Sequence, residues 1–275
     1  MKNSLILSVL ILPLFVEVVN AVEEDSLLKQ LTITPRIVNG VMSYKYEEEF
    51  TGSDNVKWHD IMPFLGLGVT LGYNNWSIDA YAQKSFTGKD GLFAQSETIT
   101  RDYATDFTRE DYAVNMSYKT KALFGYKMRG VLSFFAGYKY GKTEITGPRS
   151  ITISSLEESS FSFSEMSLKT NGYSIGGGYS WPIGKSGGLL GIKGAFATLD
   201  GDYDSNELGV VTTPTIFTWI SINWSSALSK KVTYAFSLDA HNYAMEATPT
   251  DQPGVTLSSI EERIISLKAL LSYTF

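Results

Sequence analysis

The sequence predicts an all-β fold, a transmembrane antiparallel up-and-down β-barrel of ten strands, with twelve or eight as the alternatives. Three observations lead there. Apolar residues alternate with small or polar ones at period two through ten segments, and the links between the segments alternate between short and long. After the N-terminus, no stretch reaches the roughly 20 apolar residues that a spanning helix needs. Composition agrees: 13% of residues are aromatic and only 19% charged, where about 25% charged is usual in soluble domains. The absence of cysteine excludes a disulfide framework, a thiolate metal site and a cysteine nucleophile together. A net charge of -6 argues against a nucleic-acid partner, which would call for a basic excess.

Residues 1–21 have the three-part layout of a secretory signal peptide: Lys2, an apolar stretch from Leu5 to Val16, and Val19-Asn20-Ala21 before the expected cut. Residues 22–34 are then expected to be a short periplasmic segment and 35–275 the barrel.

The strands follow in order. The first covers 36–46. In 61–73 the odd positions Ile61, Leu65, Leu67, Val69, Leu71 and Tyr73 are apolar, while the even ones include Gly66, Gly68, Thr70 and Gly72. Asn74-Asn75 is a tight-turn pair, after which Trp76, Ile78, Ala80, Ala82 and Phe86 oppose Ser77, Asp79, Tyr81, Gln83 and Ser85. The pattern recurs over 112–126, 132–141, 173–181, 190–196, 216–224, 232–240 and 264–275. Short links fall at 74–75, 127–130, 183–188 and 229–231, and long ones at 47–60, 89–109, 142–169, 200–214 and 245–263. Short turns on one side and long loops on the other are what a membrane barrel shows, with both termini on the short-turn side. The second and third loops are long enough to hide a further hairpin, and Ile151, Ile153, Phe161 and Phe163 suit strand extensions above the membrane.

At the C-terminus Ile265, Leu267, Ala269, Leu271, Tyr273 and Phe275 alternate with Ile264, Ser266, Lys268, Leu270, Ser272 and Thr274, and the chain stops at Phe275. This segment resembles the terminal strand of Gram-negative outer-membrane β-barrel proteins. The resemblance implies an integral outer-membrane location, contact with outer-membrane lipid and lipopolysaccharide, and Tyr273 and Phe275 as part of the signal read by the barrel-assembly machinery. Trp76, Tyr126, Trp181, Trp224, Tyr273 and Phe275 all fall near turn-side strand ends, as a periplasmic aromatic girdle would.

The charges divide. The five long links carry -4, -1, -1, -4 and -3, together -13, which leaves +7 elsewhere. The expected registers place Lys45, Lys119, Lys121, Lys139, Lys193 and Lys268 in the lumen against Glu47, Asp79 and Asp239, because a mid-membrane lysine facing lipid costs roughly 2 to 4 kcal/mol. In so narrow a barrel these charges are expected to pair and plug the interior, with Asp239 and Lys268 as one pair. Glu47-Glu48-Glu49 and Asp200, Asp202 and Asp204 would meet a basic surface partner or collect a divalent cation, although no spacing matches a complete calcium loop. No resident metal or cofactor is expected: Gly66, Gly68 and Gly176 to Gly178 fit no phosphate-binding spacing and instead leave room for bulky inward neighbours.

Asp239-Ala240-His241 is similar to the acid and histidine pairing of the omptin proteases, which are also ten-stranded. Their second acidic pair, Asp-x-Asp, has a counterpart in spacing only at Asp200 to Asp204, on a different hairpin. Ser266 would serve a lipase-like arrangement if its register brought it to His241, and His59 is the other histidine. The sequence thus favours a structural or surface-interaction barrel with acidic loops and a plugged lumen. A narrow pore for small anionic solutes comes second and a rim hydrolase using Asp239 and His241 third.

Overall fold

The computed structural model describes residues 31–51, 56–86, 92–95, 100–103, 106–123, 126–149, 162–183, 188–205, 209–246 and 256–275. The expected signal peptide, the segment 22–30, and Ile151, Ile153 and Phe161 lie outside these residues. The strands are β1 (Leu31–Thr51), β2 (Val56–Tyr73), β3 (Trp76–Ser85), β4 (Leu92–Gln95), β5 (Thr100–Tyr103), β6 (Asp106–Leu123), β7 (Tyr126–Arg149), β8 (Ser162–Ile183), β9 (Gly188–Ser205), β10 (Gly209–Ala227), β11 (Val232–Glu246) and β12 (Thr256–Tyr273). Among the described residues ten of them close one antiparallel barrel, each pairing with its sequence neighbour and β1 with β12, while β4 and β5 form a separate hairpin within the second long link.

Closure follows from the solvent. Inside lipid every backbone N–H and C=O needs a partner in the protein, and only a sheet without edges supplies one to each strand. The Asn74-Asn75 turn forms as the sequence predicts, with Asn74 at φ 54, the left-handed region that the first central residue of a tight hairpin turn adopts.

The alternation sorts side chains as expected through the membrane. Ile37, Val41, Leu67, Leu71, Ile78, Val114, Phe134, Ile175, Ile192, Ile220, Leu238 and Leu267 all point outward and are exposed. Along β12 and the two residues after it, the outward apolar run from Ile265 to Phe275, at about 3.3 Å per residue and a tilt near 40°, rises roughly 25 Å, the height of the apolar band of outer-membrane barrels. Aromatic contacts mark its lower edge: Trp76 with Tyr118 at 4.9 Å, Tyr179 with Trp181 at 5.7 Å, Trp224 with Tyr234 at 5.4 Å and Tyr273 with Phe275 at 4.7 Å between ring centroids. Tyr112 with Tyr140 and Tyr138 with Tyr173 mark the upper edge. The side chain of Tyr126 lies outside the described residues.

The strands are much longer than the sequence segments suggest, up to 24 residues in β7. Most of what reads as long loop is therefore barrel wall standing above the membrane. The link expected over 200–214 is continuous strand except for 206–208, and the one expected over 47–60 except for 52–55. Outside lipid the alternation rule inverts: inward positions become apolar as in a soluble core, and outward ones become charged. Met42, Leu168, Leu199, Phe217, Met245, Leu257 and Ile260 fill the inside of this column. Lys84, Glu110, Lys142, Glu144, Asp200, Glu261 and Arg263 stand on its outside, with ion pairs Lys84 to Glu110, Lys142 to Glu144 and Arg263 to Glu261.

Candidate functional site

The lumen is the candidate site, and two ionic layers divide it. The lower layer is built from β1, β2 and β3. Arg36 Nη1 and Nη2 donate to Asp79 Oδ1 and Oδ2 at 2.5 and 2.8 Å, and Thr70 Oγ1 donates to Asp79 Oδ1 at 2.5 Å. Gly68 makes this possible, because a Cβ there would lie 2.7 Å from the Arg36 guanidinium carbon.

Above it, Lys268 Nζ lies 2.8 Å from Asp239 Oδ2, with both side chains nearly buried. The Lys268 ammonium also sits 5.5 Å from the Tyr81 ring centroid, so its charge is shared between a carboxylate and an aromatic face. Gly66 leaves the space that Tyr81 occupies; a Cβ there would meet the Tyr81 hydroxyl at 2.9 Å.

The upper layer is centred on Arg109, whose side chain is wholly buried in the lumen. Its Nη1 donates to Glu262 Oε2 at 2.7 Å and to Thr143 Oγ1 at 2.8 Å, and its Nη2 donates to Asp111 Oδ1 at 2.8 Å and to Tyr243 at 3.0 Å. Tyr44 and Thr143 hydroxyls also donate to Glu262. Lys139 adds a second cation 3.5 Å from Asp111, lying over the Phe217 ring at 4.9 Å, and Gln83 Nε2 donates to Asp111 Oδ2 at 2.8 Å. Six strands therefore meet in one network across the barrel axis. Higher still, the hydroxyls of Tyr46 and Tyr203 both donate to buried Glu48 at 2.9 Å.

Of the expected lumen charges, Asp79, Lys139, Asp239 and Lys268 take places in these layers. Lys119 and Lys193 point into the lower lumen. Lys121 is exposed beside the register irregularity between Thr120 and Ala122. Lys45 and Glu47 need correction: both lie on the outer face, because the inward residues of β1 are the even ones, Val38, Met42, Tyr44, Tyr46 and Glu48. In β1 apolar residues occupy both parities, so alternation alone does not choose; the buried tyrosine hydroxyls do. Lys45 lies opposite Arg263 and His59, above the lipid.

The acid and histidine pair does not stand at an open rim. Asp239 turns to Lys268, His241 packs against Phe217 and Trp219, and Tyr243 with Arg109 closes over them. Ser266 is opposite Asp239 in register, while His241 is opposite Ile264. His59 is on the outer face, within 3.1 Å of Ser43 Oγ. Asp200, Asp202 and Asp204 project outward at alternate positions of β9, about 7 Å apart along the strand, and among the described residues no group of three acidic or histidine side chains is placed to hold a metal.

Sequence reasoning missed Arg36, Glu48, Arg109, Asp111 and Glu262. The signal was present as parity. Arg109 and Asp111 continue the inward series Ala113, Asn115 and Ser117, and Glu262 continues Ile264, Ser266 and Lys268.

No protein-family model matches the chain, and no curated protein matches it. Among solved structures it is similar to the outer membrane protease OmpT from Escherichia coli, at 11% identity and a TM-score of 0.65, over 89% of this chain and 97% of that one. The translocator domain of the autotransporter NalP from Neisseria meningitidis aligns at 12% identity and a TM-score of 0.44, over 94% of this chain and 92% of that one. At such identities the likeness to OmpT is one of fold. The chain thus has the fold of the outer-membrane β-barrels, a closed antiparallel barrel that turns a lipid-sized apolar band outward and matches a solved outer-membrane barrel along most of its length.

Proposed function

We propose that the protein is a plugged barrel whose role is structural or surface interaction, presented on a rigid acidic column outside the membrane. The observation that carries this is the Arg109 layer: a guanidinium and the Glu262 carboxylate, both with no exposed side-chain surface, cross-link β6 to β12 through the middle of the lumen. A conducting pore needs water along its axis, whereas here the axis holds a satisfied ionic network under an apolar core. Outward acids at Glu47, Glu49, Asp200, Asp202, Asp204, Glu246 and Glu261 suit a basic partner. OmpT is a protease, but the Asp239 carboxylate of this chain is engaged by Lys268, which supports no hydrolytic role for it.

Single-channel recording from purified protein in planar bilayers tests the reading. The expected result is a silent membrane at moderate voltage, with openings appearing in the R109A/E262A double variant. Steady anion-selective openings from the unaltered protein would overturn it in favour of a narrow pore.

A further inference from the structure

Below the Arg109 layer the charges do not balance. Arg36 has Asp79 and Lys268 has Asp239. Lys119 and Lys193 also point into this lower half, and among the described residues neither has a carboxylate within ion-pair distance. The register sets them at one level three strands apart: Lys119 lies opposite Ser133, Ser133 opposite Gly178, and Gly178 opposite Lys193. The Lys193 stem crosses Gly178, where a Cβ would lie 2.6 Å from its Cγ, so the absence of a side chain at Gly178 gives this lysine its path into the lumen. Lys119 lines a cavity of about 370 Å³ at the turn end of the barrel, whose walls include the hydroxyls of Thr32, Thr34, Thr70 and Ser77.

Two ammonium groups at one level of a narrow lumen repel, and the Asp79 and Asp239 carboxylates nearby are taken by Arg36 and Lys268. Beside Lys119, the Thr34 and Ser77 hydroxyls each pair with a second hydroxyl, of Thr274 and Ser117, so that either can turn its own hydrogen toward an oxyanion, whereas Thr32 and Thr70 already donate to Gly72 and Asp79. We propose that the periplasmic half of the lumen is a blind anion-binding cup, with Lys119 and Lys193 as its cationic walls and the ionic layers above as its floor. It takes a phosphate or carboxylate group presented from the periplasm. That group has two sources: a free anion, or the chain's own Glu23-Glu24-Asp25, which precede β1 by only a few residues.

The test is calorimetric titration of inorganic phosphate into the full chain, lacking its signal segment, folded in zwitterionic detergent, at constant ionic strength. Saturable binding that weakens at least tenfold in K119M and in K193M supports the cup with a free ligand. Binding seen only in the E23Q/E24Q/D25N variant, and lost when K119M/K193M is added, supports the cup with the chain's own acids as occupant. No phosphate binding in either background, or binding indifferent to both lysines, overturns it. Because a substitution in the lumen could weaken the fold, unboiled gel migration is checked for each variant, and K193E serves as a second measurement. It supplies the carboxylate itself, so phosphate binding should vanish while the melting midpoint rises; a midpoint that falls with binding intact also overturns the proposal.

Discussion

Arg109 Nη1 and Glu262 Oε2 stand 2.7 Å apart with neither side chain exposed, joining strands that are neighbours neither in sequence nor around the barrel wall. Removing one partner strands the other charge in a dry interior, which costs about 3–5 kcal/mol, whereas replacing both with apolar groups of similar size costs far less. E262A is therefore expected to lower the midpoint of the heat-induced gel shift sharply, and R109M/E262M to recover most of the loss. Equal midpoints for E262A and the unaltered protein would remove the network from the account of stability.

Lys268 and Asp239 lie on adjacent strands and are nearly as buried. Among the described residues Asp239 Oδ1 has no hydrogen-bond partner, and Lys268 at Oδ2 is the cation that neutralises the carboxylate. K268M should destabilise by about 3 kcal/mol, with D239N/K268M closer to the parent. Unchanged denaturant unfolding of K268M would show that the pair is unimportant.

The apolar band gives a positional test. Leu267 is outward and 56% exposed within the band, whereas Val210 is 67% exposed on the column above it. L267K should cost roughly 2–4 kcal/mol in a lipid bilayer, while V210K should fall within about 0.5 kcal/mol of the parent. Similar penalties at both sites, measured by urea titration in vesicles, would mean that the membrane level is misplaced.

Glycines facing inward and outward should differ in the same way. A Cβ at Gly176 would lie 2.3 Å from the Phe135 ring and 2.4 Å from the Gly194 carbonyl oxygen; at Gly194 the nearest atom is the Trp219 carbonyl oxygen at 3.4 Å. G176A should cost about 1–3 kcal/mol through overpacking, and G194A much less. Thermal unfolding of the two variants in the same detergent decides it.

The membrane-embedded part of the fold is legible because lipid enforces one rule on every strand: apolar out, small or polar in. That rule places Ile61 to Tyr73 and Ile265 to Phe275 correctly from their letters alone. It fails above the lipid, where both faces of the wall admit polar residues and the apolar stripe changes sides. Glu48 and Glu262 look like loop acids because they sit beside Glu47, Glu49 and Glu261, yet the period-two register turns them inward while their neighbours face solvent. Lys268 opposite Asp239 follows from counting along two adjacent strands. Arg109 reaching Glu262 does not, since their proximity depends on how the sheet closes around its axis.

That closure has a temporal side. The N–H of Phe275 donates to the carbonyl of Ile33 at 3.0 Å, and β12 pairs with β1 from Arg36 and Ser272 upward. The seam joins the first barrel strand to the last, a contact between residues more than 200 positions apart in the chain. Until the final residues have emerged, β1 has a hydrogen-bonding edge with nothing to satisfy it, and such long-range pairing is slow to form. A β1 edge without β12 is open to pairing with another molecule, and the closing strand is what removes that liability.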